Sequence, residues 1–139
     1  MTRPFQRDDK GAAAVEFAIL GSVFVVMLIG ILAYGIYFTV AHGVQQVAAE
    51  AARAAVGGLS DGERAALAES RAREVVETYP FLQGAHLTIA SQAVAGDADL
   101  FEVTVTYDAT HLGLSAFTNL LPMPPDAISR TSIVRRGGW

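Results

Sequence analysis

The sequence predicts an α+β protein with a long N-terminal transmembrane helix that continues into a small outer domain. In that domain, a second helix should pack on an antiparallel sheet of about three strands. Two observations support this prediction: residues 17–41 carry no charged side chain, and one further helical pattern is followed by alternating, strand-like patterns. The 139 residues leave room for one membrane span and one modest domain.

The uncharged run is long enough to cross a bilayer. Its 25 residues would extend about 37 Å as a helix, against a hydrocarbon core of about 30 Å. A secretory signal peptide has a shorter apolar core, of about 7 to 15 residues. Arg3, Arg7 and Lys10 precede the run, whereas the first basic residue after it is Arg53. We therefore expect a single-pass protein with a cytoplasmic N-terminus and an extracytoplasmic domain.

The first helix should continue beyond the membrane, so that residues 12–57 form one long helix. Small apolar residues recur at helical spacing after the span, and Gly57 and Gly58 are suitable helix terminators. Two explanations of this small-residue stripe stay open: it packs on the chain's own domain or on another subunit. The stripe consists of Val44, Val47, Ala48, Ala51 and Ala55.

The remaining residues, 58–139, should form the outer α+β domain. Ser60 and Glu63 have the spacing of a capping box, and the helical pattern that follows reaches Tyr79 before Pro80 stops it. Strand-like patterns occupy residues 87–94, 100–107 and 128–135, with a hairpin loop at 95–99. Residues 108–127 are apolar but interrupted by glycine and prolines, which predicts an irregular segment. Its leucines and phenylalanine could fill the core or meet a partner, and core packing is favoured because an exposed patch of this content would be unusual.

Composition and motif searches argue against several function classes. The net charge of −4 disfavours nucleic-acid binding, and the absence of cysteine excludes thiol chemistry. His42, His86 and His111 lack the spacing of a zinc hydrolase, and Asp97, Asp99 and Asp108 do not complete a calcium loop. We expect no enzymatic activity, no cofactor and no metal.

Gly11 and Glu16 form the most distinctive motif of the chain. Glu16 lies at the mouth of the span, five residues after a glycine that ends a short charged leader. A carboxylate in the hydrocarbon core costs about 2.5 to 3.5 kcal/mol, so Glu16 should lie at the interface or find a partner. Taken alone, Gly11 would fit a plain linker before an uncleaved signal anchor.

The two residues together resemble the processing site of type IV pilins and pilin-like proteins. In that family a prepilin peptidase cuts after the glycine and leaves a glutamate at the fifth mature position. The resemblance implies that residues 1–11 are a cytoplasmic leader and that the cut falls between Gly11 and Ala12. Glu16 then becomes the fifth mature residue and Phe17 the sixth.

The spacing has a physical reason of its own. In a helix that begins near Ala12, Glu16 lies one turn further along on the same face, where it can offset a new N-terminal amine that the helix dipole disfavours. The partner amine can also belong to a neighbouring subunit, which would set the axial register of an assembly. Ala14, Ala18 and Ser22 form a small-xxx-small row that suits close helix packing in the membrane.

Among pilin-type proteins, the chain resembles the TadE-like family of the tight-adherence (Tad, or Flp) pilus system. The residues that support this are Gly-Ala-Ala-Ala-Val-Glu-Phe-Ala at positions 11–18, the short basic leader, and the alanine- and arginine-rich stretch at 51–55. TadE-type, TadF-type and other minor pilins all stay open.

The resemblance implies a minor pilin or pseudopilin of the inner membrane that supports pilus assembly, priming and surface adhesion, and that could itself enter an extracellular pilus. Its partners would be the prepilin peptidase, other pilin or pseudopilin subunits and the inner-membrane pilus platform, with no nucleic acid. The competing hypothesis is an uncleaved single-span membrane protein whose outer domain binds an envelope partner.

Overall fold

The computed structural model describes residues 9–136, with side chains from Gly11 onward. It confirms the α+β class: two helices and a three-stranded antiparallel sheet, with short 3₁₀ turns in the connections. The helices are α1 (Asp9–Ala55) and α2 (Asp61–Val76), and the strands are β1 (Leu87–Ala93), β2 (Leu100–Asp108) and β3 (Ala127–Arg135).

β2 is the central strand of the sheet. Leu87 of β1 lies opposite Tyr107 of β2, and Asp108 of β2 lies opposite Ala127 of β3. The alternation that the sequence shows is confirmed, because every second residue of β2 is buried. On the opposite face the hydroxyls of Thr104 and Thr131 lie 2.8 Å apart across β2 and β3, as expected of a solvated surface.

The outer part of α1 is the centre of the domain core. From Val40 to Ala55 one face of this helix is buried against α2 and the sheet. This answers the question that the sequence left open, because the small-residue stripe packs on the chain's own domain. Alanines allow the two helices to approach closely, and α2 contributes Ala68 and Ala72 to the same core. The fully buried residues of the stripe are Val44, Val47, Ala48, Ala51 and Ala55.

The connection between the helices differs from the predicted glycine cap. α1 ends at Ala55 in 3₁₀-type hydrogen bonds, and neither Gly57 nor Gly58 has the positive φ of a left-handed cap. Gly58 serves a different purpose, since a β-carbon there would lie 2.7 Å from the backbone nitrogen of Arg64. A glycine is needed here because the first turn of α2 passes too close for any side chain.

The predicted cap of α2 is confirmed. The Ser60 hydroxyl accepts a hydrogen bond from the Glu63 backbone N–H at 3.2 Å. The Glu63 carboxylate accepts one from the backbone N–H of Leu59 at 2.9 Å, one residue before the cap. The helix ends at Val76 rather than at Tyr79, so the expected C-terminal extension is wrong. The residue before Pro80 is disfavoured in helical geometry, and the chain leaves α2 through turns instead.

Glu50 joins the two helices electrostatically. Its carboxylate contacts Arg53 of α1 at 2.7 Å and Arg71 of α2 at 3.2 Å. Hydrogen bonds from Arg53 and then from Arg71 lower the pKa of Glu50 below its usual value. Arg71 also contacts Glu74 at 3.0 Å, so it is held between two carboxylates. The network fixes how α2 is aligned along α1.

The segment between β2 and β3 does not pack as predicted. Leu112 contacts the core and Leu114 is buried, but Leu120 is 60% exposed. The reason is that the segment runs along the lower part of α1 instead of folding back into the domain. A β-carbon at Gly30 would lie 3.4 Å from the side chain of Leu121. Core packing is therefore correct for the beginning of the segment and wrong for Leu120.

Tyr107 closes the end of the core that faces this segment. It is fully buried, and its hydroxyl donates to the Phe81 carbonyl and accepts from the Gln83 N–H, both at 3.1 Å. Burial raises the pKa of Tyr107 above its ordinary value. One hydroxyl thus satisfies two backbone groups of the turn between α2 and β1.

Gly58→Ala should lower the stability of the outer domain. The added methyl group meets backbone atoms of Arg64, and overpacking of this kind costs about 1 to 3 kcal/mol. Urea unfolding of the full chain in detergent micelles, followed by circular dichroism, measures the loss. Gly62→Ala is the matched control, because no atom lies within 4 Å of its β-carbon position, and an alanine in a helix should raise stability by up to about 1 kcal/mol. Equal responses of the two variants would contradict the close approach.

Tyr107→Phe should also destabilise the domain, because the Phe81 carbonyl and the Gln83 N–H lose a shared partner. Leaving such groups unsatisfied costs about 1 to 3 kcal/mol. The same unfolding measurement tests this expectation. Tyr37→Phe, on α1, removes a hydroxyl outside this turn and serves as the control. A Tyr107→Phe variant as stable as the control would show that the hydroxyl does not hold the turn.

Candidate functional site

From Ala12 to Leu28, α1 lies outside the core of the outer domain. Every residue from Gly11 to Leu20 is exposed, and among residues 11–32 none is buried. Within the described residues, α1 is the one helix long and apolar enough to cross a membrane, and its most apolar 18-residue window has a mean hydropathy of 2.5 with no buried residue. A helix this apolar and this uncovered is suited to lipid or to other helices.

The structure places Ala12 and Glu16 on the same face of α1, one turn apart. Both belong to a shallow apolar surface, and Glu16 is its one charged member. Within residues 11–136, the Glu16 carboxylate makes no hydrogen bond or ion pair to another part of the chain. Phe17 is 79% exposed beside it. The carboxylate is therefore presented outward on an apolar face, and nothing in the domain approaches it.

Ala14, Ala18 and Ser22 form one exposed row along the same free part of α1. The Ser22 hydroxyl donates to the Ile19 carbonyl at 2.8 Å, so this polar group is satisfied inside its own helix. The row can consequently face lipid or a second helix without a buried, unpaired donor. The structure brings no other element of the chain against these three residues.

Further along α1, three aromatic side chains form a cluster that the sequence analysis did not single out. The Phe38 ring lies 6.2 Å from the Tyr34 ring and 5.9 Å from the Tyr37 ring, between centroids. The Tyr34 hydroxyl donates to the carbonyl of Pro122, which ties α1 to the segment between β2 and β3. Tyrosines near the end of an apolar run were the available signal, since such residues favour membrane interfaces.

The sheet brings two of the three histidines together, which their distance in sequence did not suggest. The rings of His86 and His111 stack with centroids 4.1 Å apart and planes within 4°. The pairing of Leu87 with Tyr107 explains this contact, because it places the start of β1 beside the end of β2. His111 also lies 3.3 Å from the Tyr107 hydroxyl. The pair closes the core around Tyr107.

The acidic residues weighed as calcium ligands occupy opposite ends of β2. Asp97 accepts a hydrogen bond from the Asp99 N–H at 2.9 Å, which is a turn, while Asp108 accepts one from the Thr110 N–H at 2.9 Å. The latter bond lowers the pKa of Asp108 below its usual value. Among the described residues, no group of three acidic, histidine or cysteine side chains could hold a metal ion.

Comparison with known proteins adds a family to this geometry. No curated protein and no solved structure shows a significant match to the chain. Residues 11–53 match the family model described as TadE-like protein. The match begins at Gly11 and ends two residues before the end of α1, so it contains the free face and most of the helix. The family links the chain to the Tad pilus and to the membrane. Over residues 11–53, this chain is therefore similar to the TadE-like family.

Proposed function

We propose that this protein is a minor pilin or pseudopilin of the Tad (Flp) type IV pilus system, which supports pilus assembly or priming and surface adhesion. The observation that carries the proposal is the uncovered face of α1 with Gly11, Ala12 and Glu16, at the point where the TadE-like match begins. Processing requires access to Gly11 and Ala12, which are exposed, and assembly requires a carboxylate such as that of Glu16, which pairs with no side chain of residues 11–136.

The first step of the proposal is hydrolysis by a prepilin peptidase. Water is consumed, the peptide bond between Gly11 and Ala12 breaks, and a carboxylate on Gly11 and an ammonium group on Ala12 result. The leader, residues 1–11, would stay on the cytoplasmic side. Glycine suits this position because it leaves the bond accessible on both sides.

The new ammonium group would create an electrostatic need that Glu16 can meet. A cation at a helix N-terminus is disfavoured by the helix dipole, and a carboxylate one turn away offsets this effect. Four residues of helix correspond to a rise of about 6 Å. Glu16 can pair with its own amine or with that of a neighbouring subunit, and the intersubunit pair would fix the axial register of the helices.

We expect the two parts of α1 to make different contacts. Residues 40–55 are committed to the domain core, so helix contacts with other subunits would use the free part below them. Ala14, Ala18 and Ser22 lie in that part and would permit close approach. The outer domain, residues 58–139, would lie outside the inner membrane. Partners would be other pilin or pseudopilin subunits and the inner-membrane platform.

Gly11→Leu should abolish processing, because a branched side chain beside the scissile bond would crowd the peptidase. Intact mass and N-terminal sequencing of the protein from its native host detect the change. Gly21→Leu makes the same substitution ten residues further along α1, where the surrounding space is open, and should be cut normally. A native chain that begins at Met1 would overturn the pilin hypothesis and favour the uncleaved membrane protein.

Glu16→Ala should permit membrane insertion and leave the peptide bond cleavable, yet reduce pilus assembly severely, because the register contact is lost. Surface pili counted by electron microscopy in a complemented deletion strain give the readout. Glu69→Ala removes an exposed carboxylate from the outer domain, where it pairs with Arg73 at 2.9 Å, and should leave pilus number unchanged. Unchanged piliation in Glu16→Ala cells would show that this carboxylate does not set the register.

A further inference from the structure

The segment between β2 and β3 lacks charge over an unusual length. Residues 109–125 contain no Asp, Glu, Lys or Arg, although Asp108 and Asp126 flank them directly. Four leucines, a phenylalanine, a methionine and three prolines fall within these 17 residues. In a domain with ordinary charged surfaces elsewhere, such a segment indicates contact with an apolar environment.

The fold places this segment at the end of the domain nearest the membrane. Leu121 packs beside Gly30 of α1, and the Tyr34 hydroxyl donates to the Pro122 carbonyl. Ala33, between them in sequence, is only 3% exposed. The opposite end of the domain is marked by the ion pair of Arg136 with Asp61, 3.0 Å apart. The segment therefore reaches down alongside the apolar run of the helix.

The helix provides a scale for the depth that the segment reaches. If the hydrocarbon core begins at Phe17, about 20 helical residues cross its thickness of about 30 Å, and the core ends near Ile36. Gly30 and Tyr34 then lie about 9 Å and 3 Å inside the outer boundary at 1.5 Å per residue. Amphipathic segments that rest in a bilayer surface reach a similar depth, about 5 to 10 Å.

Large apolar side chains are exposed at this level on both the helix and the segment. Ile31, Leu32 and Phe38 of α1 are 60%, 67% and 63% exposed, and Leu120 of the segment is 60% exposed. The exposed leucine thus continues the apolar surface of the helix. Tyr34 and Tyr37 occupy the same level, where tyrosines anchor membrane proteins at the interface.

Many backbone N–H groups of the segment are hydrogen-bonded within the segment or are absent at proline, which lowers the cost of transfer from water to lipid. Between Leu112 and Leu121, six backbone N–H groups donate to carbonyls of residues 109–117 at 2.9 to 3.2 Å, mostly in short 3₁₀ turns. Pro122, Pro124 and Pro125 have no N–H to satisfy. An irregular segment ordinarily avoids the bilayer because unpaired backbone groups are costly there, and this one reduces that cost.

From these observations we infer that residues 112–125 are a second membrane contact, which inserts Leu120 into the interfacial region of the outer leaflet. The occupant of this apolar surface is lipid. The inference rests on the membrane span proposed above. It assigns the outer domain a fixed orientation, with the end of β2 and the start of β3 facing the bilayer and the hairpin at 94–99 pointing away from it.

Spin labels test this orientation directly, because the chain has no cysteine of its own. Leu120→Cys, Ala98→Cys and Val25→Cys variants of the full chain would be labelled with a nitroxide and reconstituted in phosphatidylcholine nanodiscs. Collision rates with oxygen, which enriches in lipid, and with a water-soluble nickel chelate then report the depth of each label. Position 120 should favour oxygen, position 98 should favour the nickel chelate, and position 25 should favour oxygen most strongly.

Each other outcome has a defined meaning. A label at position 120 that is as accessible to nickel as the label at position 98 overturns the inference, and a lipid-like value at position 25 in the same series keeps the span intact. Exclusion of both reagents at position 120 would indicate contact with a second copy and would also overturn it. A water-like value at position 25 would refute the span itself, and the inference with it. Circular dichroism of each labelled variant verifies the fold.

Discussion

The structure depends on the burial of the outer part of α1 in its own domain. Val40, Val44 and Val47 are fully buried, and alanines fill the remaining positions of the same face. α2 and the sheet lie on this face and have no other core to share. A small domain of this size buries too little surface to dispense with its central helix. The domain is consequently built around the end of the membrane helix rather than attached to it.

This arrangement divides one uninterrupted helix into two parts with different chemistry. One face of the upper part is buried in the domain core, whereas the residues from Ala12 to Leu28 lie outside that core. The exposed side chains of this part form an apolar surface suited to lipid or to other helices. The TadE-like match, over residues 11–53, extends over both parts.

Sequence patterns predicted the elements that local physics controls. The alternation of β2, the Ser60 cap and the apolar run of α1 follow from side-chain periods and hydrogen-bonding groups within a few residues, so each was recognisable. The missed features depend on contacts between distant segments. The stack of His86 on His111 requires the register of β1 on β2.

The same limit explains two of the differences between the sequence predictions and the structure. Gly58 looks like a helix terminator by type, but its role is set by the close passage of α2. Leu120 is apolar and was expected in the core, yet its surroundings depend on where the segment runs along α1. The proposed processing face could be recognised from Gly11, Ala12 and Glu16, because one helical turn separates Ala12 from Glu16. That this face lies outside the domain core could not be recognised from the sequence, because it depends on the whole fold.

Because α1 is unbroken, a shift of this helix along its axis is linked to a rotation of the outer domain. Because the helix enters the domain core without a hinge, any rotation about its axis turns the whole sheet by the same amount. Moving such a helix by one residue along a neighbour, with its packing face kept in contact, is a screw motion of about 1.5 Å and about 100°. An error of a single residue at the level of Glu16 would therefore swing the outer domain through more than a quarter of a full circle.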